Sequence, residues 1–127
     1  MTDWPRQNEW MVGTIVKAGL HGGQGVSGTI AARTALGPFG FTDPMTITDW
    51  QPPHRCAVTH TGRIVCGSGV FLVEPIGDES THQTRFTWSE TVQLPFGWLG
   101  RLGWMVAQPA VGLGLNWSLR RFKRWVE

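Results

Sequence analysis

Apolar residues in this chain recur at every second position along most of its length, and at every third or fourth position only near its end. From Val111 onward, Val111, Leu115, Leu119, Phe122 and Val126 fall on one face of a helix, while Asn116, Arg120, Lys123 and Arg124 fall opposite. A half-buried sheet has to cover its apolar face, and this C-terminal helix is the element the chain offers for the purpose. The fold class expected is therefore α+β: a curved antiparallel sheet of six strands packed on a long C-terminal helix, with a pocket between them.

The segment from Pro95 to Glu127 holds four of the eight Trp residues and the longest uncharged run, Leu102 to Leu119. That run is interrupted by Gly103, Gln108, Pro109, Gly112, Gly114, Asn116 and Ser118, so it reads as a cover for a core and not as a transmembrane span. Gly97, Gly100, Gly103 and Pro109 lower helix propensity in its first half. A kinked, poorly helical first half is expected, with the space and portal for a ligand beside it.

Upstream, a short helical turn is expected within Thr2–Met11, with Asp3 as cap and Pro5 in the first turn. Strands are expected over Val12–Leu20, Gly28–Leu36, Pro44–Trp50, Arg55–Thr61, Ile64–Pro75 and Thr84–Leu94, joined by short Gly- and Pro-bearing connections as an antiparallel meander. Side-chain parity then assigns faces. Phe86, Trp88, Glu90, Val92 and Leu94 share the inner one, His60 goes with Cys56 and Val58, and Asp49 goes with Met45 and Ile47. Three ionisable groups, Asp49, His60 and Glu90, thus have inward parity on otherwise apolar faces.

The 127 residues make a single domain, 1–127, with room for a core. A net charge of +2 gives no reason to expect a nucleic-acid partner. Two cysteines, Cys56 and Cys66, are too few for a disulfide scaffold, and with no signal peptide in the opening residues they are expected as free thiols in a cytoplasmic protein. Gly23 to Gly28 spells GxGxxG, but strand-like spacing follows where a dinucleotide site needs a helix, so a glycine-bearing hairpin loop accounts for it. No GxSxG, HExxH, CxxC or Walker sequence occurs, and neither a metal nor a cofactor is expected.

Two features carry chemistry. A carboxylate at Glu90 beside Phe86 and Trp88 is costly to bury charged, so it either pairs, for instance with Arg101, or reaches solvent, or orients a ligand. His60 reads first as a hydrogen-bonded structural histidine. The basic run Arg120, Arg121, Lys123 and Arg124 is ordinarily a solvated face complementing the helix dipole, and less ordinarily a contact with an anionic surface.

The stretches TDWPRQNEWM, GPFGFTDPMTITDWQPP, HRCAVTHTGRIVCGSGVF and TRFTWSETVQLPFGWLGRLGW together resemble the SRPBCC superfamily, the START-like, helix-grip group of polyketide cyclase/dehydrase and lipid-transport proteins. The closest likeness is to small, uncharacterised bacterial members, and it covers nearly the whole chain. The resemblance implies an antiparallel sheet wrapped round the C-terminal helix and an apolar cavity for a lipid or polyketide-like molecule. Such proteins usually have a strand and a helix ahead of the segment matching TDWPRQNEW. The domain is therefore expected to be N-terminally incomplete, leaving Thr84–Leu94 as an open edge through which two copies could pair.

The function expected is binding or transport of a small hydrophobic ligand without catalysis. Phe71, Phe86, Trp88, Met105 and Leu115 are the expected wall, and Glu90 and His60 the polar handles. The alternatives are a cyclase or dehydratase using Glu90 and His60 as its acid/base pair, and an interaction protein at an anionic surface acting through the basic tail.

Overall fold

The computed structural model describes residues 1–93 and 96–127. A short helix α1 (Trp4–Gln7) precedes six strands, β1 (Thr14–Ala18), β2 (Thr29–Leu36), β3 (Phe39–Gln51), β4 (Arg55–Thr61), β5 (Cys66–Ile76) and β6 (Gln83–Gln93), and a long helix α2 (Gly97–Val126) closes the chain. The strands form one curled antiparallel sheet in the order of the sequence. This is the α+β architecture expected, a six-strand sheet with a C-terminal helix.

Alternation sets the inner face. Val16 pairs with Ala32, Ile30 with Met45, Ile47 with Val58, Cys56 with Phe71, and Phe71 with Trp88. Val16, Ile30, Ala32, Met45, Ile47 and Cys56 are buried there together with Trp4. The α1 segment plugs one end of this face. Asp3 caps it by accepting the Arg6 N–H, the Trp4 indole donates to the Gly23 carbonyl, and buried Gln7 donates to the Met1 carbonyl at 2.7 Å.

Two details of β3 differ from the sequence expectation. The strand begins at Phe39, not Pro44, because Gly37, at a φ of 59°, and Pro38 make a tight turn that pairs Leu36 directly with Phe39. A register shift between Ile47 and Asp49 then inserts one residue. Beyond it Trp50 takes the inner face, opposite Cys56, and Asp49 turns outward. Asp49 accordingly pairs with Arg55 at 2.7 Å and accepts from Gln51, so its inward parity is lost.

Helix α2 is docked by its C-terminal half. Phe122 wedges between Trp10 and Phe86, with ring centroids 4.7 and 4.8 Å away. Ser118 Oγ accepts the Val12 N–H at 2.9 Å, and the Trp125 indole donates to Glu9 at 2.6 Å. The first half is one helix with the second, running through Pro109 without a break in the element, and not the poorly helical segment expected. Intrinsic propensity is a weak constraint, and cooperative hydrogen bonding over a long helix overrides scattered glycines.

Docking through one end makes a sharp contrast between two large-to-small substitutions. Phe122→Ala should cost about 3 kcal/mol of unfolding free energy. Leu113→Ala, on the exposed side of the same helix, should stay within about 0.5 kcal/mol. Equal losses in urea denaturation would show that α2 is held differently.

Candidate functional site: a histidine between two carboxylates

His60 on β4 lies opposite Met45 on β3 and opposite Gly67 on β5. Glu90 on β6 lies opposite Gly69, the next inner-face position of β5. Strands two apart are separated by roughly 9.5 Å, so side chains on β4 and β6 meet only if the strand between them is bare. β5 is bare at both positions. Gly67 has a φ of 131°, where side chains are rarely accommodated, and a Cβ on it would run into the Thr91 carbonyl. A Cβ on Gly69 would stand 2.9 Å from both carboxylate oxygens of Glu90. The Glu90 side chain lies over Gly69, in the space its missing Cβ leaves, and reaches the imidazole.

The result is a linear array. His60 Nδ1 lies 2.8 Å from Asp43 Oδ2, and Nε2 lies 2.9 Å from Glu90 Oε2. The Trp88 indole N–H donates to the other Glu90 oxygen at 2.6 Å. Asp43 and His60 are buried, whereas the Glu90 side chain keeps 31% of its surface exposed. The array therefore runs from the sheet interior to solvent, ending in a carboxylate fixed at both oxygens.

A neutral imidazole can donate from one nitrogen only; its other lone pair would face a carboxylate. An imidazolium donates to both. Burial works against that charge, but the hydrogen bond to Glu90 and the negative charges of Asp43 and Glu90 outweigh it and raise the His60 pKa above its ordinary value. Burial raises the Asp43 pKa, and His60 offsets this only in part. Asp43 Oδ1 is buried with no partner, a further cost of placing this carboxylate inside. An imidazolium between two carboxylates leaves the array with a single net negative charge, and a neutral imidazole leaves it with two.

The structure brings His60 and Glu90 together, as the proposed pairing required, and gives Glu90 His60 and Trp88 as partners. Phe71, Phe86 and Trp88 form the adjacent floor, with Phe71 edge-on to Phe86 at 5.3 Å and to Trp88 at 5.5 Å. Leu115 is half-buried on the docking side of α2. Met105 is not gathered with them: it is 71% exposed, about 100° round the helix from Phe122. Of the expected edge Thr84–Leu94, Leu94 lies outside the described residues, and Gln83–Gln93 is an end strand of the sheet.

Asp43 and the two glycines escaped sequence reasoning, although the signals existed. Asp43 shares parity with Met45 and Ile47, but the strand expected over Pro44–Trp50 starts too late to include it. Gly67 and Gly69 alternate on the inner parity of β5 and read as weak strand positions, not as a passage. Two concavities, of about 300 and 260 Å³, lie on the opposite face, lined by residues such as Lys17, Thr46 and Thr61 and by Ile15, Arg33 and Thr42. Neither touches the array. Both cysteines are free, and burial pushes the Cys56 thiol up to about 11, so it is no nucleophile at neutral pH. Among the described residues no group of three or more His, Cys, Asp or Glu could hold a metal ion.

Compared with protein-family models, with curated proteins and with solved structures, the chain has no match.

The raised pKa of His60 fixes the sign of a pH dependence. The folded state holds this proton more tightly than the unfolded chain, so stability falls as pH rises from about 6.5 through the folded pKa. Asp43, also raised, acts in the same sense at lower pH. Between about pH 6 and 8 the melting temperature should therefore fall in the native protein and stay nearly level in His60→Gln. Gly69→Ala should flatten it too, by pushing Glu90 off the ring. A profile unchanged by both substitutions would mean that the array does not hold the proton.

Proposed function

We propose that the inner face of the sheet binds a small, mainly apolar molecule and seats its polar end at Glu90. The observation that carries this reading is the Glu90 carboxylate: solvent-reaching, fixed by His60 and Trp88, and standing at the end of the aromatic floor of Phe71 and Phe86. Ligand sites commonly have this make-up, an apolar lining with a few oriented polar groups. The glycine passage supports it as well. Two glycines at alternate positions of one strand sacrifice strand stability, and what Gly69 permits is the placement of this one carboxylate. The likeness to SRPBCC proteins, which bind apolar molecules against such a sheet, agrees with this reading, and no catalytic step is required for it.

The net negative charge of the array gives the ligand class a sign. A hydroxyl or an ammonium can donate to Glu90, whereas a carboxylate headgroup would meet repulsion unless a second proton were taken up. A second reading, acid/base catalysis of the cyclase or dehydratase kind, is favoured by one specific observation. His60 and Glu90 stand within a direct hydrogen bond, and Asp43 behind them steadies the ring. For that reaction Glu90 would exchange a proton with the substrate and His60 would replenish it.

Titration of decanol, decylamine and decanoate into the protein, followed by tryptophan emission, tests the binding reading. Saturable binding of the alcohol and the amine is expected, with decanoate weaker. Glu90→Gln should reduce the preference for amine over carboxylate by about tenfold, the worth of one charge-assisted hydrogen bond. Trp88→Ala should weaken all three. Absence of saturable binding, or a preference indifferent to Glu90→Gln, would contradict the proposal.

A further inference from the structure

Helix α2 presents a second surface that the ligand site does not use. At 3.6 residues per turn, Trp98, Leu102, Met105, Val106, Leu113 and Trp117 fall within roughly 120° of one another, on the side opposite the docked Phe122. All are exposed: Val106 at 78%, Leu113 and Trp98 at 73%. The stripe runs about 28 Å along the helix. Its continuation past Trp117 is basic, with Arg120, Lys123 and Arg124 on the same side, all exposed. Leu99 at 57% and Trp104 at 37% are exposed on its flanks, so the first half of the helix, undocked on every side, adds further apolar surface to the stripe. Scattered exposed apolar side chains are ordinary, but so much apolar surface gathered on one helix is not.

The charge distribution says what covers it. No Asp or Glu occurs between Glu90 and Glu127, while Arg101, Arg120, Arg121, Lys123 and Arg124 lie in that interval. The segment therefore carries five of the eleven basic residues and none of the nine acidic ones, and the rest of the chain is net negative by three charges, six basic against nine acidic. A partner complementary to this surface is apolar along the stripe and anionic beside it. An acyl layer beneath anionic headgroups has both properties, and Trp favours the boundary between them. A second copy of α2 would bring more cations and no carboxylate within the segment. Spanning is not the geometry, since among the described residues no helix is long and apolar enough to cross a membrane.

We infer that the outward face of α2 seats the protein in the plane of an anionic lipid surface, with Trp98, Val106, Leu113 and Trp117 in the acyl boundary and Arg120, Lys123 and Arg124 at the headgroups. The C-terminal half stays docked on the sheet through Phe122, so no unfolding is required. This surface is separate from Glu90, and amphiphile binding is read in lipid-free solution, so the two proposals fail independently.

Co-sedimentation with vesicles of phosphatidylcholine alone and of phosphatidylcholine mixed with phosphatidylglycerol tests it. Binding is expected to the mixed vesicles, with a blue shift of tryptophan emission and release at high salt. Arg120→Glu with Arg124→Glu should weaken partition at least about tenfold. Val106→Asp with Leu113→Asp should abolish it, at a melting temperature close to native because both positions are exposed. Failure of the folded protein to bind mixed vesicles, equal binding to phosphatidylcholine alone, or binding that survives both double substitutions would overturn the inference. So would a dimer in sedimentation equilibrium that Val106→Asp and Leu113→Asp dissociate, which would assign the stripe to a second copy.

Discussion

Two glycines on one strand decide the chemistry of this protein. Strands β4 and β6 are not neighbours, and an ordinary side chain on β5 would keep His60 and Glu90 apart. Gly69 removes that barrier where the glutamate crosses, and Gly67, opposite His60, lies so close to the β6 backbone that a Cβ there would strike the Thr91 carbonyl. Asp43, His60, Glu90 and Trp88 then form a single hydrogen-bonded line across four strands, from a buried aspartate to a carboxylate at the surface. Without the bare strip, the same residues would be one buried histidine and one solvated glutamate.

The line is costly to keep. It holds two carboxylates close to one ring, one of them buried with an oxygen left unpartnered, and it weakens the strand that permits it. Structural histidines are satisfied by one carbonyl or one carboxylate. An array anchored by a buried acid and finished by an exposed one orients that outer group and fixes its charge, which is what a ligand's polar end or a reacting proton needs. The aromatic side chains Phe71 and Phe86 beside it supply the apolar half of the proposed site.

Helix α2 divides in a comparable way. Its second half is held by Phe122, Ser118 and Trp125 against the α1 segment and β6, and is conventional. In its first half, residues 101–110 are exposed on every side, although this half is the more apolar of the two. Sequence periodicity identified the docking face through Leu115, Leu119 and Phe122, but Val111 and Val126, placed on the same face, are exposed. It misjudged the first half, because glycine and proline content measures only local cost and says nothing of cooperative extension.

The six strands and their order were legible from alternation and turn residues, and β4 was placed to the residue. The His60–Glu90 pair was legible too, since parity put both on the inner face. Asp43 was hidden by the turn before it, where Gly37 and Pro38 look like a longer loop than they form. Asp49 misled for the opposite reason: one inserted residue at a bulge reverses every face beyond it, and nothing in the composition of Thr46–Trp50 announces the insertion. Long-range passages such as the one over Gly67 and Gly69 need the register of three strands at once, which no local pattern carries.

The most direct test of this account is the titration of the His60 imidazole by ¹⁵N-detected NMR, assigned by comparison with His60→Gln. The account predicts both ring nitrogens protonated on the acid side, a midpoint above the ordinary histidine value of about 6.5, and a lower midpoint in Glu90→Gln. A midpoint at or below the ordinary value, unmoved by Glu90→Gln, would contradict it.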